Sequence, residues 1–504
     1  MSSARLRTVV LSCLLTTASL FPAAPAAAVT DESPAPAFVA QDDSPAPTLA
    51  GRLAAVQTAK TMNYYPSGAG WSAMWTRFDP IQVDVDLAKV AALGADSVRV
   101  VVFPRAFGYP RPHAAYAAKL RKFISIAEAH GLGVRFTLFD WWARYYDTKG
   151  SAAWAAAVLA PYADDPRVLA VELKNEMSPD DPEAVAWMRG LIPVVRAAVP
   201  AMPLTVSVNG QAGPTGLARL KAALDGTPLD FYDFHFYGAS EQALTDIREA
   251  QASVAPDPLV IGETGLSTAT GSAGEQAAYL ARVFRAAALA GVGSVAPWTL
   301  TDFSLGAIPS NSAVSTMPAQ YEFGLYRIDG SPKPAASVVR AAWAGEAQSD
   351  SVLDLSFESD AGNSPWRGNL TEAGAAELDP STAHDGGRSM RFAATTRSAL
   401  GLPSLRISPI GPVHGGQAWS AAAWARGTDA TGVTEIALSW FDADGRWIGQ
   451  DTSARLPLGT TDWTQLTVNA LAPPAAAGVQ LHLKCGDNTG ATWFDDISLT
   501  EINP

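Results

Sequence analysis

The sequence predicts an α/β fold, a (β/α)8 TIM barrel followed by an all-β jelly-roll sandwich. Three observations support this prediction. Short β-rich segments alternate with longer helical segments over residues 52–345, these segments supply eight strand candidates, and helical periodicity ends near residue 352. A chain of 504 residues is also too long for one ordinary hydrophobic core, so at least two domains are expected.

The strand candidates of the barrel are short apolar segments with helical segments between them. Helices are predicted over 113–130 and 275–290, because apolar residues recur there at helical spacing and Gly131 or Gly291 ends the segment. An open doubly wound sheet is the alternative, but no glycine-rich phosphate loop follows the first strand, which favours the closed barrel. The predicted strands cover residues 56–62, 97–102, 134–139, 168–173, 204–208, 231–235, 259–262 and 294–298.

Composition also predicts the segments that precede and follow the barrel domain. Residues 352–504 alternate as β-strands do, and Asp444-Gly445 between two strand candidates predicts a hairpin. The predicted division is a signal peptide at 1–28, a flexible leader rich in Pro, Ala and Asp at 29–51, the barrel domain at 52–345, a linker at 346–351 and the β-sandwich at 352–504.

The N-terminus has the pattern of a secretory signal. Arg5 and Arg7 precede an apolar stretch that is short for a membrane span, and small residues end at Ala28. We expect cleavage near Ala28 and a secreted, extracellular protein that has no membrane partner afterwards. A lipoprotein signal at Cys13 is the less favoured alternative, because few residues precede that cysteine and the apolar stretch continues past it.

Charge and cysteine content exclude several classes of partner and site. The formal net charge of −13 argues against nucleic acid, whose phosphates need a basic face. Once the signal is removed, Cys485 is the only cysteine, which excludes an intramolecular disulfide and a zinc–thiolate site. Cys485 is expected to be a small buried hydrophobe, and the protein is expected to be a monomer.

Polar and aromatic side chains stand where the predicted barrel strands end. In barrels of this type the strand ends at the C-terminal face form the active site. Two carboxylates that converge there can cleave an acetal, with one as acid and the other as nucleophile or base. Either glutamate alone would be a weak signal, but their joint occurrence at two strand ends is not. The residues at the strand ends are Asn175, Glu176, His235, Tyr237, Glu263 and Trp298.

With these residues the barrel resembles the clan A glycoside hydrolases, and most of all family 5, the cellulase and mannanase group. Members of that family carry an arginine on strand two, Asn-Glu after strand four, His-x-Tyr after strand six, a glutamate after strand seven and a tryptophan on strand eight. The resemblance implies that Glu176 is the general acid/base and Glu263 the nucleophile of a retaining enzyme that needs no cofactor for catalysis. The matching residues are Arg99, Asn175, Glu176, His235, Tyr237, Glu263 and Trp298.

Two departures from the family pattern leave the sugar open. Many members have a histidine after strand three, where this chain has Asp140-Trp141-Trp142, and Met177 replaces the usual proline after the acid/base. Aromatic rings near the strand ends can stack on the C–H faces of sugars, and Trp142 and Trp298 are the strongest candidates. The residues predicted to bind substrate are Arg99, Asp140, Trp142, Asn175, His235, Tyr237 and Trp298.

Four short motifs follow one another in the C-terminal region, namely Phe357-Glu358, residues 384–390 (HDGGRSM), Asp462-Trp463-Thr464 and residues 493–499 (WFDDISL). With these motifs, residues 352–502 resemble the jelly-roll carbohydrate-binding modules that accompany many secreted glycosidases. In such modules a glutamate near the first strand and an aspartate near the last often share a structural calcium ion. The resemblance therefore implies calcium at Glu358 and Asp496, since hard oxygen ligands suit that ion. A spacer domain without glycan binding and a solvated carboxylate pair are the alternatives.

The sequence as a whole predicts a secreted retaining glycoside hydrolase that acts on a β-linked polysaccharide or oligosaccharide. A transglycosylase or an exo-acting glycosidase on the same barrel is the alternative among enzymes. A non-catalytic glycan-binding protein is the alternative from another class, although such a protein would not need both Glu176 and Glu263.

Overall fold

The computed structural model describes residues 46–345, 355–358, 366–368, 376–393, 395–396, 402–407 and 413–502. The predicted signal peptide with its cleavage point, residues 29–45 of the leader and the linker at 346–351 lie outside the described residues. Among the described residues, none of the helices is both long enough and apolar enough to span a membrane.

The predicted barrel is confirmed, and all of its strand pairs are parallel. Asn63 joins the first strand to the last part of the barrel, because its Nδ2 donates to the carbonyls of Gly262 at 2.8 Å and Pro297 at 3.2 Å. The strands are β1 (Thr61–Asn63), β2 (Ser97–Val101), β3 (Gly133–Phe139), β4 (Val168–Lys174), β5 (Leu204–Thr205 and Ser207–Val208), β6 (Tyr232–Phe236), β7 (Leu259–Thr264) and β8 (Val295–Pro297).

Helices cover the outside of the barrel, and both helices predicted above are confirmed within two residues at each end. Their termini follow from local sequence. Ser272 and Glu275 form a capping box at the start of one helix, and Gly291 ends it in the left-handed conformation. The helices are α1 (Leu49–Thr58), α2 (Ala73–Thr76), α3 (Pro80–Ala92), α4 (Pro104–Phe107), α5 (Ala114–Ala129), α6 (Thr148–Leu159), α7 (Pro182–Ala198), α8 (Gly213–Ala223), α9 (Ala243–Val254), α10 (Ala273–Ala290) and α11 (Pro334–Ala344).

The first strand is the main departure from the sequence-based assignment. Residues 56–58, predicted as strand, lie in α1, and this helix also takes in residues 49–51 of the predicted leader. Thr48 caps α1 by accepting from the N–H of Gly51. Arg52 then donates to the carbonyls of Ala163 and Asp165, which precede β4, so α1 packs across the N-terminal end of the barrel.

Charged residues occupy the interior of the barrel and are paired there. Arg99 on β2 contacts Glu172 on β4, and Arg135 on β3 contacts Asp233 on β6. All four side chains are at most 3% exposed, so each charge depends on its partner for compensation. Residue 262 is a glycine because a Cβ there would lie 2.0 Å from the carboxylate of Asp233.

The C-terminal region is an all-β domain of two antiparallel five-stranded sheets, as predicted. The predicted hairpin is present, with the N–H of Gly445 donating to the carbonyl of Asp442. Cys485 is fully buried, as expected for a small hydrophobe. The sheet orders are β9-β12-β17-β14-β15 and β10-β11-β18-β13-β16, with β9 (Arg367–Gly368), β10 (Ala376–Asp379), β11 (Ser389–Ala393), β12 (Ser404–Arg406), β13 (Ala418–Ala430), β14 (Val433–Phe441), β15 (Trp447–Thr452), β16 (Gly459–Leu471), β17 (Gly478–Gly486) and β18 (Ala491–Ile502).

The barrel and the sandwich have separate hydrophobic cores. Two polar contacts join their surfaces in the described part of the chain. Arg285 on α10 forms an ion pair with Glu501 at 3.0 Å, and Gln242 Nε2 donates to the carbonyl of Ala443 in the hairpin at 2.7 Å.

Candidate active site

A cleft of about 420 Å³ opens at the C-terminal ends of the barrel strands. Glu176, two residues after β4, and Glu263, inside β7, both line it. One carboxylate oxygen of each glutamate lies within 4.8 Å of the other. The structure thus brings together the two carboxylates that the sequence analysis singled out.

The carboxylate of Glu263 accepts hydrogen bonds from a buried arginine and from a tyrosine hydroxyl. Arg99 Nη1 donates to Glu263 Oε1 at 2.6 Å, and the hydroxyl of Tyr237 donates to Oε2 at 3.0 Å. Burial, together with the negative charge of Glu263, raises the pKa of Tyr237 well above its usual value. The phenol therefore stays protonated and continues to donate. Both contacts hold the carboxylate of Glu263 in place.

Glu176 accepts hydrogen bonds from a different set of side chains. Asn209 Nδ2 donates to its Oε2 at 3.1 Å, and His235 Nδ1 lies 3.3 Å from its Oε1. Burial would raise the pKa of Glu176, but the hydrogen bonds and the charges of His235 and Arg99 outweigh burial and lower it. The sequence analysis missed Asn209. Its signal was available, because it is a polar residue directly after the apolar fifth strand.

The backbone also sets the direction of Glu176. Its φ is +49°, in the left-handed region that residues with a Cβ rarely adopt. The N–H of Glu176 donates to Ser207 Oγ at 2.8 Å, which fixes the turn against β5. Three more residues that follow strands β1 to β3 also have a positive φ, namely Trp71, Phe103 and Trp141.

Arg99 and His235 do not reach the substrate space, which corrects their predicted role in substrate binding. Arg99 is 2% exposed and His235 is fully buried, because both lie on strands one layer below the rim. Arg99 Nη2 donates to Asn175 Oδ1 at 2.8 Å, and His235 Nδ1 lies 3.4 Å from Glu263 Oε2. Both residues therefore hold the side chains that line the cleft.

Asn175 and Asp140 line the cleft, as predicted for substrate-binding residues, and they contact each other. Asn175 Nδ2 donates to Asp140 Oδ1 at 3.2 Å. Burial raises the pKa of Asp140 to about 6, against the opposing charge of Lys174 and the hydrogen bond from Asn175. Asn175 is therefore fixed on both sides, by Arg99 below it and by Asp140 beside it.

Trp142 does not line the cleft, which corrects its predicted contact with sugar. Its side chain is 4% exposed and packs on Tyr109 and Phe139. Its neighbour Trp141 is 45% exposed and lines the cleft instead. The left-handed backbone of Trp141 sends the two adjacent rings in opposite directions, which sequence spacing alone does not reveal.

Trp298 lines the cleft together with other aromatic residues, as predicted. It meets Tyr65 and Trp71 edge to face, with ring centroids 5.9 and 6.0 Å apart. Phe323 and Tyr237 complete the aromatic wall. Flat rings with polar groups between them are typical of a site that binds sugars.

A second lobe of about 220 Å³ adjoins the catalytic lobe. The two lobes share Trp71, Asp140 and Trp141 in their walls. The cleft is therefore longer than one sugar-binding position.

The described residues contain two groups that could hold a metal ion, and both include His235. One also contains Glu172 and Asp233, and the other contains the two cleft glutamates. Arg99 and Arg135 already compensate the buried carboxylates in these groups.

Neither group contains Glu358 or Asp496, the two residues predicted to bind calcium in the sandwich. Glu358 Oε1 accepts from the N–H groups of Gly387 and Arg388, whereas the carboxylate of Asp496 pairs with His384. The two carboxylates thus have different partners among the described residues, and a shared calcium ion stays a prediction.

Comparison with known proteins agrees with this geometry. Residues 58–304 match the family model Cellulase (glycosyl hydrolase family 5), which confirms the family resemblance for the barrel. No curated protein matches the chain at a significant level.

Several solved structures are similar to the chain. A GH5_18 protein from Streptomyces cattleya in complex with GlcNAc is 20% identical, with 58% of this chain and 82% of that chain covered and a TM-score of 0.48. The exo-β-1,4-mannosidase Op5Man5 from Opitutaceae bacterium strain TAV5 is 20% identical, with 57% and 59% covered and a TM-score of 0.48. A GH5_18 protein from Bifidobacterium longum subsp. infantis is 18% identical, with 58% and 80% covered and a TM-score of 0.47.

Proposed function

We propose that this chain, in which residues 58–304 form a glycosyl hydrolase family 5 domain, is a secreted retaining glycosidase that cleaves β-linked poly- or oligosaccharides. The observation that carries the proposal is the approach of Glu176 and Glu263 to within 4.8 Å. Carboxyl groups about 5 Å apart are typical of retaining enzymes, whereas inverting enzymes leave a wider gap for water.

In the first step a carboxylate oxygen of Glu263 attacks the anomeric carbon. The glycosidic C–O bond breaks, and Glu176 gives its proton to the departing oxygen. Arg99 and Tyr237 hold the carboxylate of Glu263 in the cleft before the attack. The first product leaves with a new hydroxyl group, and the sugar stays bound to Glu263 as an ester.

In the second step water replaces Glu263 on the anomeric carbon. Glu176, now ionised, takes a proton from that water, and the bond to Glu263 breaks. The hydrogen bond from Asn209 and the proximity of His235 stabilise this ionised form. Two displacements at one carbon return the original anomeric configuration.

The decisive experiment is turnover of β-glycans by the purified mature protein and by two variants. Glu263→Ala should lose turnover by about three orders of magnitude or more, because the nucleophile is absent. Glu176→Ala should slow substrates with poor leaving groups most, and azide should partly restore cleavage of an activated aryl glycoside.

Glu183→Gln, at the exposed start of α7, is the matched control and should keep full activity. NMR of the first product should show the β-anomer before mutarotation. Release of the α-anomer, or normal turnover by Glu263→Ala, would rule out the double displacement.

Secretion, the monomeric state and the calcium ion in the sandwich are parts of the same proposal. Secretion depends on the signal pattern of residues 1–28. N-terminal sequencing of the extracellular protein should begin near residue 29. Light scattering and a thermal shift with and without a chelator test the monomer and the calcium ion.

A further inference from the structure

The loops after β2 and β3, at residues 102–113 and 140–147, contain three arginines and two aspartates, although the protein as a whole is acidic. Three arginines stand on these two loops at the same end of the barrel as the catalytic cleft. They are Arg105 on α4, Arg111 just after it and Arg144 after β3.

Arg105 is the arginine that lines the second lobe. It is exposed, and in the described part of the chain it has neither an ion pair nor a hydrogen bond. Arg144 differs, because its guanidinium lies over the rings of Tyr109 and Trp142 at 5.7 and 5.8 Å. Arg105 is therefore a cation that a ligand in the lobe can meet directly.

The other charged residue of the second lobe does not neutralise Arg105. Asp140 forms no ion pair with Arg105 in the described part of the chain, and its Oδ1 accepts from the N–H of Trp141 and from Asn175 Nδ2. Neutral groups complete the wall, among them Asn311 and Ser312. The hydroxyl of Ser312 is buried and has no hydrogen-bond partner among the described residues. It is a further hydrogen-bond donor in the wall of the same lobe.

We propose that the second lobe binds an acidic sugar of the glycan chain and that Arg105 holds its carboxylate or sulfate group. A guanidinium binds both anions through paired N–H donors, and Trp141, which is 45% exposed, supplies a ring face for the sugar itself. The proposal rests on the proposed function, since it names the substrate class of the same cleft.

The test measures binding in the Glu263→Ala background, so that it does not depend on turnover. The probes are two matched pairs of β-1,4-linked tetrasaccharides, oligoglucuronate against cellotetraose and oligomannuronate against mannotetraose. Calorimetry should show that one acidic probe binds at least about tenfold more tightly than its neutral partner. Added salt should weaken binding of the acidic probe alone. A 6-sulfated cellotetraose distinguishes sulfate from carboxylate as the recognised group.

In this background, Arg105→Gln should bring the ratio of the affinity for the acidic probe to that for its neutral partner close to one. Arg105→Lys should restore part of the preference for the acidic probe. Arg121→Gln, which removes a charge from the exposed side of α5, is the control and should leave the ratio unchanged. Equal binding of acidic and neutral probes, no binding of either acidic probe, or a ratio that survives Arg105→Gln would overturn the proposal. The proposed function is judged separately, by the turnover that Glu263→Ala abolishes.

Discussion

Arg99 Nη1 lies 2.6 Å from Glu263 Oε1, and the same guanidinium donates through Nε to Glu172 Oε2 at 2.7 Å. One buried arginine thus connects the candidate nucleophile to a carboxylate deeper in the barrel. Burial would raise the pKa of Glu172, but the charges of Arg99, His235 and Arg135 outweigh it and lower the pKa to about 2. Glu172 therefore stays ionised and keeps Arg99 in place.

Glu172→Gln should destabilise the barrel by about 3–5 kcal/mol, because it leaves Arg99 buried with less compensation. Chemical denaturation of the barrel measures the change. Glu128→Gln, which removes the exposed partner of Arg167, should change the free energy of unfolding by about 1 kcal/mol or less. Equal effects of the two substitutions would contradict the structural role assigned to Glu172.

Asn209→Ala should move the alkaline limb of the kcat/KM profile to higher pH. Asn209 donates to the ionised form of Glu176, so its removal raises the pKa of the group that must be protonated in the first step. A pH–rate profile on an unactivated glycoside measures the shift. An alkaline limb that stays in place or moves to lower pH would show that Asn209 does not act on Glu176.

Asp140→Asn should change the pH dependence of stability between about pH 4 and pH 6. The pKa of Asp140 is raised to about 6 in the folded protein, above the value of about 3.9 for an unfolded chain. The folded state therefore binds more protons in this window, and its stability falls as pH rises through it. The variant lacks this loss, so its stability relative to the wild type should rise across the window and level off above about pH 7. Denaturation at several pH values measures the difference, and a constant difference would contradict the raised pKa.

Ending the chain after Gly345 should leave a folded barrel that cleaves short soluble glycosides at nearly the full rate. The two domains have separate cores, and the described contacts between them are polar and few. Circular dichroism and turnover of an aryl oligosaccharide test this expectation. Loss of turnover in a folded product would show that the sandwich takes part in the active site.

The fold was largely predictable, because most residues of the buried barrel strands are apolar and these short segments stand out between longer helical ones. The first element was assigned wrongly at residues 56–58, which were predicted as strand but lie in α1, the helix that Thr48 caps and Arg52 holds against the barrel. The sequence also identifies both cleft glutamates, because Glu176 comes directly after one apolar strand and Glu263 stands at the end of another.

The spacing of residues in the sequence did not predict which of the surrounding side chains line the cleft and which lie below or behind it. Arg99 and His235 lie below the cleft and Trp142 lies behind it, because the depth of a side chain depends on barrel curvature and loop dihedrals. The buried charges of the barrel interior, among them Glu172 and Asp233, were also not predictable from spacing. These carboxylates come from strands that are distant in sequence and meet their arginines only when the barrel closes.

The left-handed backbone of Glu176 has a consequence for directed evolution of this protein. Holding a residue with a Cβ at a φ of +49° stores about 1 kcal/mol or more, and glycine at the same position would release it. A screen that rewards heat resistance alone would therefore favour loss of the carboxylate at position 176. Libraries selected for thermostability should therefore also be screened for turnover in every round, because the residue that favours stability at position 176 differs from the residue that catalysis needs.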